Sequence, residues 1–487
     1  MGSRFGLYRE TPSMHPFCRF PLSLRKSINL VRRKLMSAQL DNDQGMGVWG
    51  VVSTITGFII GVSVFILPGQ LVELAGPAVV LSYVIAGSVA FLSCIVAAQI
   101  GVVLPTDGGS FVAISKLISP FFGILTIWIF LISAIVANAF MAFGFADYFH
   151  NFVPTADRST VAVSVVLAFG FLNIFARQGV VRVQGFMVLL FLMALVMFLL
   201  ASQPYIEMDR MIPFVAHGYG SVFLAATSAY FSFAGFVLLL ELGGEVKRPG
   251  KTIPMGLAIS FVIVLSTYIA VSVTIAGSSL DLTSGETPVL SLARQTLPVW
   301  MLDAFVMAIL AAAATSINSL IMAYSRDIMV VARSGFLPKK VGVISKTTRT
   351  PVSAIILLTL LTCLAIILGH RVEDFVVMAV VGLMIQQIFL AICMWRIPKM
   401  MQEQYAAAAF RLPVWLIRLV SVVLIIVSVG FIVLLLMAEL SIVLLLGGLI
   451  FLGVIYFITV YAWKKSKGID VISQFRDQVD KLVKVTT

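Results

Sequence analysis

Hydrophobic residues occur in long runs along most of the chain, and short polar segments separate these runs. Each run is near the ~20 residues that a membrane-spanning helix needs. We count about twelve, at approximately 48–71, 79–104, 119–149, 160–177, 183–203, 218–243, 253–277, 300–331, 351–369, 374–395, 413–437 and 440–463. No segment alternates apolar and polar residues as a barrel strand does, so the pattern predicts an all-α polytopic membrane protein.

The first run contains an unusual number of helix breakers. Residues 57–69 are GFIIGVSVFILPG, with Gly57, Gly61, Ser63, Pro68 and Gly69 inside an apolar segment. Irregular backbone at membrane depth persists only where it lines a cavity or is buried in protein. We therefore expect a break in the first helix, and a ligand beside it.

The sixth run repeats this feature. Its centre, residues 228–236, is SAYFSFAGF, again with small residues inside a hydrophobic segment. Interrupted helices at corresponding positions of two halves are typical of the midplane binding site of a transporter. Because five spans separate the two breaks, the second half would be inverted, which predicts repeats of five spans each at about 48–203 and 218–395.

This organisation predicts a transporter domain at 46–464, with two extra helices at about 413–463, between a basic tail at 1–45 and a second tail at 465–487. The first tail is consistent with a solvated segment near anionic lipid, a transit peptide, or an over-extended start before Met36.

Composition and charge agree with a membrane protein. The chain has 487 residues, of which 60% are hydrophobic and 11% charged, and its mean hydropathy of +1.06 excludes a soluble protein of this size. With the N-terminus in the cytoplasm, only four Lys and Arg residues fall on outer segments: Arg158, Arg210, Arg294 and Arg371. This bias predicts cytoplasmic termini and an even number of spans. The net charge of +12 follows from it, and nucleic-acid binding is the poorer interpretation because the basic residues are dispersed.

The sequence offers no catalytic or metal site. Its four Cys and four His residues form no constellation suited to metal binding or acid–base catalysis, so we do not expect an enzyme.

Four patches together resemble the amino acid–polyamine–organocation (APC) permease superfamily. They are GFIIGVSVFILPG (57–69), LPTDGGSF (104–111), FAGFVLLLELGGEVKRPGKTIP (233–254) and SRDIMVVARSGFLPKK (325–340). The resemblance covers roughly 48–400. It implies the LeuT-type fold and secondary transport of amino acids or related amines.

In the first break, the free N–H groups of Gly61, Val62 and Ser63, beside Ile60, are candidates for holding a substrate carboxylate. A helix N-terminus attracts anions through its unsatisfied donors and its dipole. Ser63 stands where the family pattern has glycine, so specificity could differ there. The alternative is that these small residues form a packing face between helices.

In the second break, residues 232–235 would be unwound, so that carbonyls there suit an amino group. The predicted contacts are Ser232, Ala234 and Gly235. The resemblance implies that flanking aromatics, Phe231 and Phe236, close over the substrate, although both could equally pack in the core. Further polar candidates at membrane depth are Asn138 and Asn318.

Two coupling ions are considered, and no other cofactor is expected. Glu241 is an acid inside a span, so its protonation could couple transport to a proton gradient, unless it lies in the inner vestibule. For Na⁺, Thr315 and Ser316 with carbonyls near Ile59 and Val62 would supply oxygen ligands, although hydroxyls also serve in helix packing.

The sequence therefore predicts a multi-pass transporter of the plasma (inner) membrane that carries a small-molecule substrate by alternating access. A neutral amino acid is favoured because no acid lies near the predicted position of the substrate amine. A transporter or exchanger of cationic amino acids or polyamines that uses Glu241, and a nutrient sensor without transport, are the alternatives. The bilayer is the only other partner expected, and the oligomeric state is left open.

Overall fold

Each of the twelve hydrophobic runs forms helix in the computed structural model, as expected from their length. The structure describes residues 46–106, 108–175, 180–241, 246–279, 287–369 and 372–467. Within these, ten helical segments are long and apolar enough to cross a membrane, and two apolar helices are shorter. The prediction of an all-α polytopic membrane protein is confirmed. The tail at 1–45 and most of the second tail lie outside the described residues.

The helices of the first five spans are α1 (Val48–Ile59), α2 (Ser63–Ala75), α3 (Val79–Val103), α4 (Gly109–Leu117), α5 (Pro120–Phe149), α6 (Arg158–Phe175) and α7 (Val180–Ser202). The first span is divided between α1 and α2, as the breakers predict. Pro120 at the start of α5 lacks only an N–H that would have no helical partner there.

The later spans contain α8 (Gly218–Ala229), a 3₁₀ segment (Tyr230–Val237), α9 (Leu238–Glu241), α10 (Pro249–Ala276), α11 (Pro288–Thr296), α12 (Val299–Arg333), α13 (Val352–Leu368), α14 (Val372–Met400), α15 (Gln402–Ala407), α16 (Val414–Ala438) and α17 (Leu440–Ser466). The sixth span thus changes from α-helix to 3₁₀ helix and back. A 3₁₀ segment of eight residues is longer than the usual three or four, which marks it as a special feature.

Burial separates inner from outer helices. In the most apolar window of the sixth span, of α12 and of α14, 78% of the residues are buried, whereas the fraction is 17% in α17 and 33% in α16. Lipid-facing helices keep apolar surface exposed because hydrocarbon solvates it as well as protein does. The sixth span, α12 and α14 therefore form the centre of the described part of the bundle.

Three short helices, α4, α11 and α15, were not predicted, because they lie between the long apolar runs. Helix α11 packs against α2, where a Cβ added at Gly69 would lie 2.6 Å from Pro288. A hydrogen-bond chain supports this contact: Thr287 Oγ1 donates to the Tyr148 hydroxyl (2.8 Å), which donates to the Phe65 carbonyl (2.9 Å). Helix α11 thus packs against α2 around Gly69.

Candidate functional site

The break in the first span comprises Ile60, Gly61 and Val62, between α1 and α2. Continuing the helix would require the N–H groups of residues 61–63 to bond the carbonyls of residues 57–59. The last helical bond of α1 is instead from Ile60 N to Thr56 O (2.8 Å). Three buried carbonyls therefore need other donors.

Side-chain hydroxyls supply these donors. The Ile59 carbonyl accepts hydrogen bonds from Ser63 Oγ (3.2 Å) and from the Tyr268 hydroxyl of α10 (3.1 Å), and these two hydroxyls lie 2.7 Å apart. A serine that bonds the carbonyl four residues earlier competes with the helical backbone bond. Ser63 thus helps to define the break, and its hydroxyl is already engaged.

The other two carbonyls face α12. Thr315 Oγ1 lies 3.0 Å from the Gly57 carbonyl and 2.7 Å from the Ala312 carbonyl of its own helix. Ser316 Oγ lies 3.1 Å from the Gly57 carbonyl and 3.0 Å from the Phe58 carbonyl. These hydroxyls thus contact the carbonyls of residues 57 and 58. The carbonyls predicted from the sequence as ion ligands were instead those near Ile59 and Val62.

Gly61 is packed against α12. A Cβ at this position would lie 1.9 Å from Ser316 Oγ and 2.8 Å from Ser316 Cβ, a distance that no side chain could accept without movement. Glycine at position 61 therefore allows α12 to approach closely, as expected if these small residues form a packing face between helices. This packing does not involve the backbone N–H of Gly61.

The N–H groups of Gly61, Val62 and Ser63 have no hydrogen-bond acceptor within the described residues. All three belong to buried residues at the N-terminal end of α2. The break therefore has satisfied carbonyls and unsatisfied donors.

The break in the sixth span lies directly against the first. A Cβ added at Gly235 would lie 2.1 Å from Phe58 Cδ1 and 2.4 Å from Ile59 Cγ1. Only a residue without a side chain lets the two interrupted helices approach this closely.

A small cavity of about 20 Å³ lies beside this contact. Its lining is Phe58, Ile59, Phe130, Ser133, Ala134, Ala137, Met141, Phe231, Ala234, Gly235, Leu320, Tyr324 and Leu383. A void of this volume holds about one water molecule. The lining carries two hydroxyls and no charged side chain.

Three predicted substrate contacts, Phe231, Ala234 and Gly235, line this cavity. Phe231 also packs edge-on against Phe140 of α5, with ring centroids 5.0 Å apart. Phe236, predicted as a second gate, instead packs against Phe261 of α10 and is not among the lining residues. The 3₁₀ geometry places these two phenylalanines on different sides of the segment, so Phe236 belongs to the core.

The remaining predicted contacts are buried but do not line the cavity: Ile60, Gly61, Val62, Ser63, Ser232 and Asn138. Within the described part of the chain, neither side-chain amide atom of Asn138 has a hydrogen-bond partner. Buried polar atoms without partners are rare, which keeps Asn138 as a candidate for ligand contact. The Ser232 hydroxyl, in contrast, lies near the hydroxyls of Tyr83 and Tyr268.

Asn318 is located elsewhere. Its Oδ1 accepts a hydrogen bond from Asn173 Nδ2 of α6 (2.8 Å). It follows Ser316 by two positions, or about 200° around an α-helix, so it faces away from the break. Asn318 thus takes part in a contact between α6 and α12.

Glu241 connects two of the four sequence patches. Its carbonyl accepts from Gly108 N (3.2 Å), and its carboxylate accepts from Ser110 N (3.3 Å) at the start of α4. Gly108 has φ +64°, and a Cβ at Gly109 would lie 2.3 Å from the Leu240 carbonyl oxygen. The Gly-Gly pair is thus required by a positive φ and by close backbone packing against the sixth span.

Sequence reasoning missed a second buried acid. Asp327 is fully buried on α12, and both it and Glu241 lie within electrostatic reach of Tyr324, a cavity-lining residue. Asp327 lies near the end of the predicted span at 300–331, and α12 extends this helix to Arg333 with Asp327 buried in it. Tyr268 was missed too, because it is one of several hydroxyl-bearing residues in the apolar run 253–277.

Known proteins give a consistent comparison. A family model described as "Amino acid permease" matches residues 46–451. The branched-chain amino acid permease BcaP of Bacillus subtilis is 24% identical over 45% of this chain and 52% of its own length. Cationic amino acid transporter 5 of Arabidopsis thaliana is 25% identical over 64% and 58%, and the methylthioribose transporter of B. subtilis is 24% identical over 45% and 52%.

The chain spans somewhat more than half the length of these relatives. The matched family region includes both interrupted spans and the α4 loop, and it covers more than four fifths of the chain. The protein therefore belongs to the amino acid permease family of the APC superfamily.

Proposed function

We propose that this permease is a secondary transporter of amino acids that binds its substrate between the interrupted first and sixth spans. The observation that carries the proposal is the imbalance at the first break. Hydroxyls satisfy its carbonyls, whereas the N–H groups of Gly61, Val62 and Ser63 have no acceptor in the described residues. Donors at a helix N-terminus suit a carboxylate, the group that all amino acids share.

The substrate favoured is a neutral, apolar amino acid. The cavity wall contributes aromatic, aliphatic and alanine side chains from α1, α5, the sixth span, α12 and α14. A charged substrate side chain placed there would be desolvated, and none of the lining side chains is charged. The B. subtilis relative named as a branched-chain amino acid permease supports the same choice.

Substrate entry requires the breaks to separate. The cavity holds about one water molecule, and Gly235 lies in direct contact with Phe58 and Ile59. Alternating access would supply this space by moving the broken helices relative to α5 and α14. Hydroxyl caps suit such motion, because water can replace each of these hydrogen bonds.

A proline substitution tests the carboxylate site directly. Val62 has φ −66°, which proline adopts without strain, so Val62→Pro deletes one N–H and leaves the break intact. Val62→Ala is the control, since it also removes the branched side chain and keeps the donor. Losing a hydrogen bond to a charged group costs about 1.5–3 kcal/mol, so we expect affinity for leucine to fall about 10–150-fold relative to Val62→Ala. Equal affinities in the two variants would remove the carboxylate from this position.

Transport itself is tested by uptake of labelled leucine, alanine, lysine and putrescine into proteoliposomes. Uptake of leucine or alanine supports the proposal, and uptake of lysine or putrescine alone rejects a neutral substrate. Absence of uptake together with substrate-induced thermal stabilisation would indicate a nutrient sensor of the same fold.

For the coupling ion, Na⁺ and H⁺ are proposed as the two alternatives. Thr315 and Ser316 would contribute oxygens to a Na⁺ site, and Glu241 would carry the proton. Uptake should be measured while the two gradients are varied independently. Replacing Thr315 and Ser316 with Ala should abolish a sodium dependence, and Glu241→Gln should abolish a proton dependence. Wild-type uptake that is indifferent to Na⁺ excludes the sodium site.

A cationic amino acid is the second candidate substrate. The buried carboxyl groups of Glu241 and Asp327 near Tyr324 could balance a substrate cation at that end of the cavity. The Arabidopsis relatives named as cationic amino acid transporters support this alternative. It predicts that lysine uptake, but not leucine uptake, is lost in Asp327→Asn.

A further inference from the structure

A groove with a basic lining lies outside the proposed substrate site, between the end of α14 and the start of α16. Its volume is about 780 Å³. The residues that define this basic groove are Trp395, Arg396, Pro398, Lys399, Met400, Gln402, Val414 and Arg418. The lining has three cations and no acid, which transport of a neutral amino acid does not explain.

The three cations are not neutralised within the described residues. No carboxylate there lies within 4.0 Å of Arg396, Lys399 or Arg418. Arg396 Nη1 donates one hydrogen bond to the Leu117 carbonyl (2.8 Å), which fixes the guanidinium while most of its donors stay available. The Arg418 guanidinium lies over the Trp395 ring, 5.8 Å from its centroid. Positive charge held in a concave surface attracts an anion.

The start of α16 adds to this field. This helix has 25 residues and begins at Val414, which lines the groove. The first N–H groups of a helix have no intrahelical acceptor, and the helix dipole is positive at this end. The groove therefore combines side-chain cations with a helix N-terminus.

The groove also lies at a lipid boundary. Trp395 and Trp415 are 44% and 66% exposed, and tryptophan is enriched where a protein meets the membrane–water interface. From Trp415, the exposed residues Leu419, Val422 and Ile426 continue along one face of α16 at helical spacing. The distribution of Lys and Arg assigns this end of the bundle to the cytoplasmic side.

We propose that the basic groove binds the phosphate headgroup of an anionic phospholipid of the cytoplasmic leaflet, whose acyl chains lie along the apolar face of α16. Arg396, Lys399 and Arg418 contact the phosphate. Basic pockets between transmembrane helices on the cytoplasmic side suit such headgroups. A free phosphate compound would match the cations but not the adjoining apolar face, so a lipid is the occupant favoured.

The test uses the full-length protein in a neutral detergent and measures thermal unfolding during titration with dioctanoyl phosphatidylglycerol. Saturable stabilisation is expected with this lipid and not with dioctanoyl phosphatidylcholine. The variant R396Q/K399Q/R418Q should bind phosphatidylglycerol roughly a hundredfold more weakly. The matched control K339Q/K340Q/K346Q removes three exposed cations from another segment assigned to the same side and should bind like wild type.

Three results would overturn the proposal. Equal weakening in both triple variants would indicate diffuse surface charge, equal stabilisation by phosphatidylcholine would remove headgroup selectivity, and equal stabilisation by glycerol phosphate would indicate a site for free anions. If the triple variant does not fold, K399Q alone serves, because Lys399 has no hydrogen bond or ion pair in the described residues. It should weaken binding, whereas K399R should retain it.

Discussion

The hydroxyl caps on the first break predict a specific loss of stability in Ser316→Ala. Ser316 Oγ is the side-chain donor to the Phe58 carbonyl (3.0 Å), whereas the Gly57 carbonyl would retain Thr315 (3.0 Å). The substitution keeps the Cβ that packs against Gly61, so it removes a donor with little change in shape. One buried carbonyl is left without a partner.

The expected cost follows from that count. An unsatisfied buried acceptor costs about 1–3 kcal/mol, and Ser316→Ala leaves one such acceptor, the Phe58 carbonyl. Ser325→Ala on the same helix is the matched control. The Ser325 hydroxyl donates to the Met322 carbonyl of its own helix (3.1 Å). That carbonyl lies within α12, where the helical backbone can also supply a donor. Ser325 is buried as Ser316 is, but its loss leaves no carbonyl of the break without a donor, so we expect the control to lower stability less than Ser316→Ala does.

The assay is reversible unfolding of the purified protein in detergent, followed by tryptophan fluorescence with increasing denaturant. Ser316→Ala should lower the free energy of unfolding, and Thr315→Ala combined with Ser316→Ala should lower it further, because the Gly57 carbonyl then loses both donors. If Ser316→Ala and Ser325→Ala unfold alike, the hydroxyl of Ser316 does not stabilise the break.

Three further predictions concern other positions. Gly235→Val should abolish substrate-induced thermal stabilisation because its side chain would collide with the first break, whereas Gly220→Val, with nothing within 4 Å of its Cβ, should not. Asn318→Ala should lower the melting temperature without changing KM for uptake, and a changed KM would place it at the substrate. Hydrogen bonds from the Thr160 backbone N–H and hydroxyl lower the pKa of Asp157 from 3.8. The carboxylate of Asp157 therefore stabilises the folded protein at pH values above 3.8, and this stabilisation is lost as the pH falls through the lowered pKa. The free energy of unfolding should fall with decreasing pH more steeply in the wild type than in Asp157→Asn. Parallel pH profiles of the two proteins would contradict this prediction.

The two breaks illustrate what local sequence can and cannot predict. Glycine and serine inside apolar runs indicated interruptions near Gly61 and Gly235. The structure has a break at Gly61, whereas residues 232–235 are not unwound as predicted but belong to the 3₁₀ helix Tyr230–Val237. Their physical role was less accessible. Gly61 was considered for ligand approach, yet the atom it accommodates is Ser316 Oγ, and Gly235 accommodates Phe58. A glycine shows that space is needed, but not which atom needs it.

The polar residues at membrane depth make the same point. Asn138 and Asn318 occupy similar apolar surroundings in sequence, but Asn318 is paired with Asn173, whereas Asn138 has no hydrogen bond in the described residues. The difference depends on the angular position of each residue on its helix and on the neighbour found there. That neighbour comes from a distant segment, so the apolar run cannot reveal it.

The sequence alone determined the twelve-span helical character of the protein, the location of both breaks and the charge asymmetry. These properties are local, because lipid requires each span to satisfy its own backbone and sets its length. Only the tertiary structure decided which donors reach the freed carbonyls: Ser63 within the chain segment itself, and Tyr268, Thr315 and Ser316 from helices far along the sequence. Hydrogen bonds act over about 3 Å, so their partners are fixed by helix packing rather than by spacing along the chain.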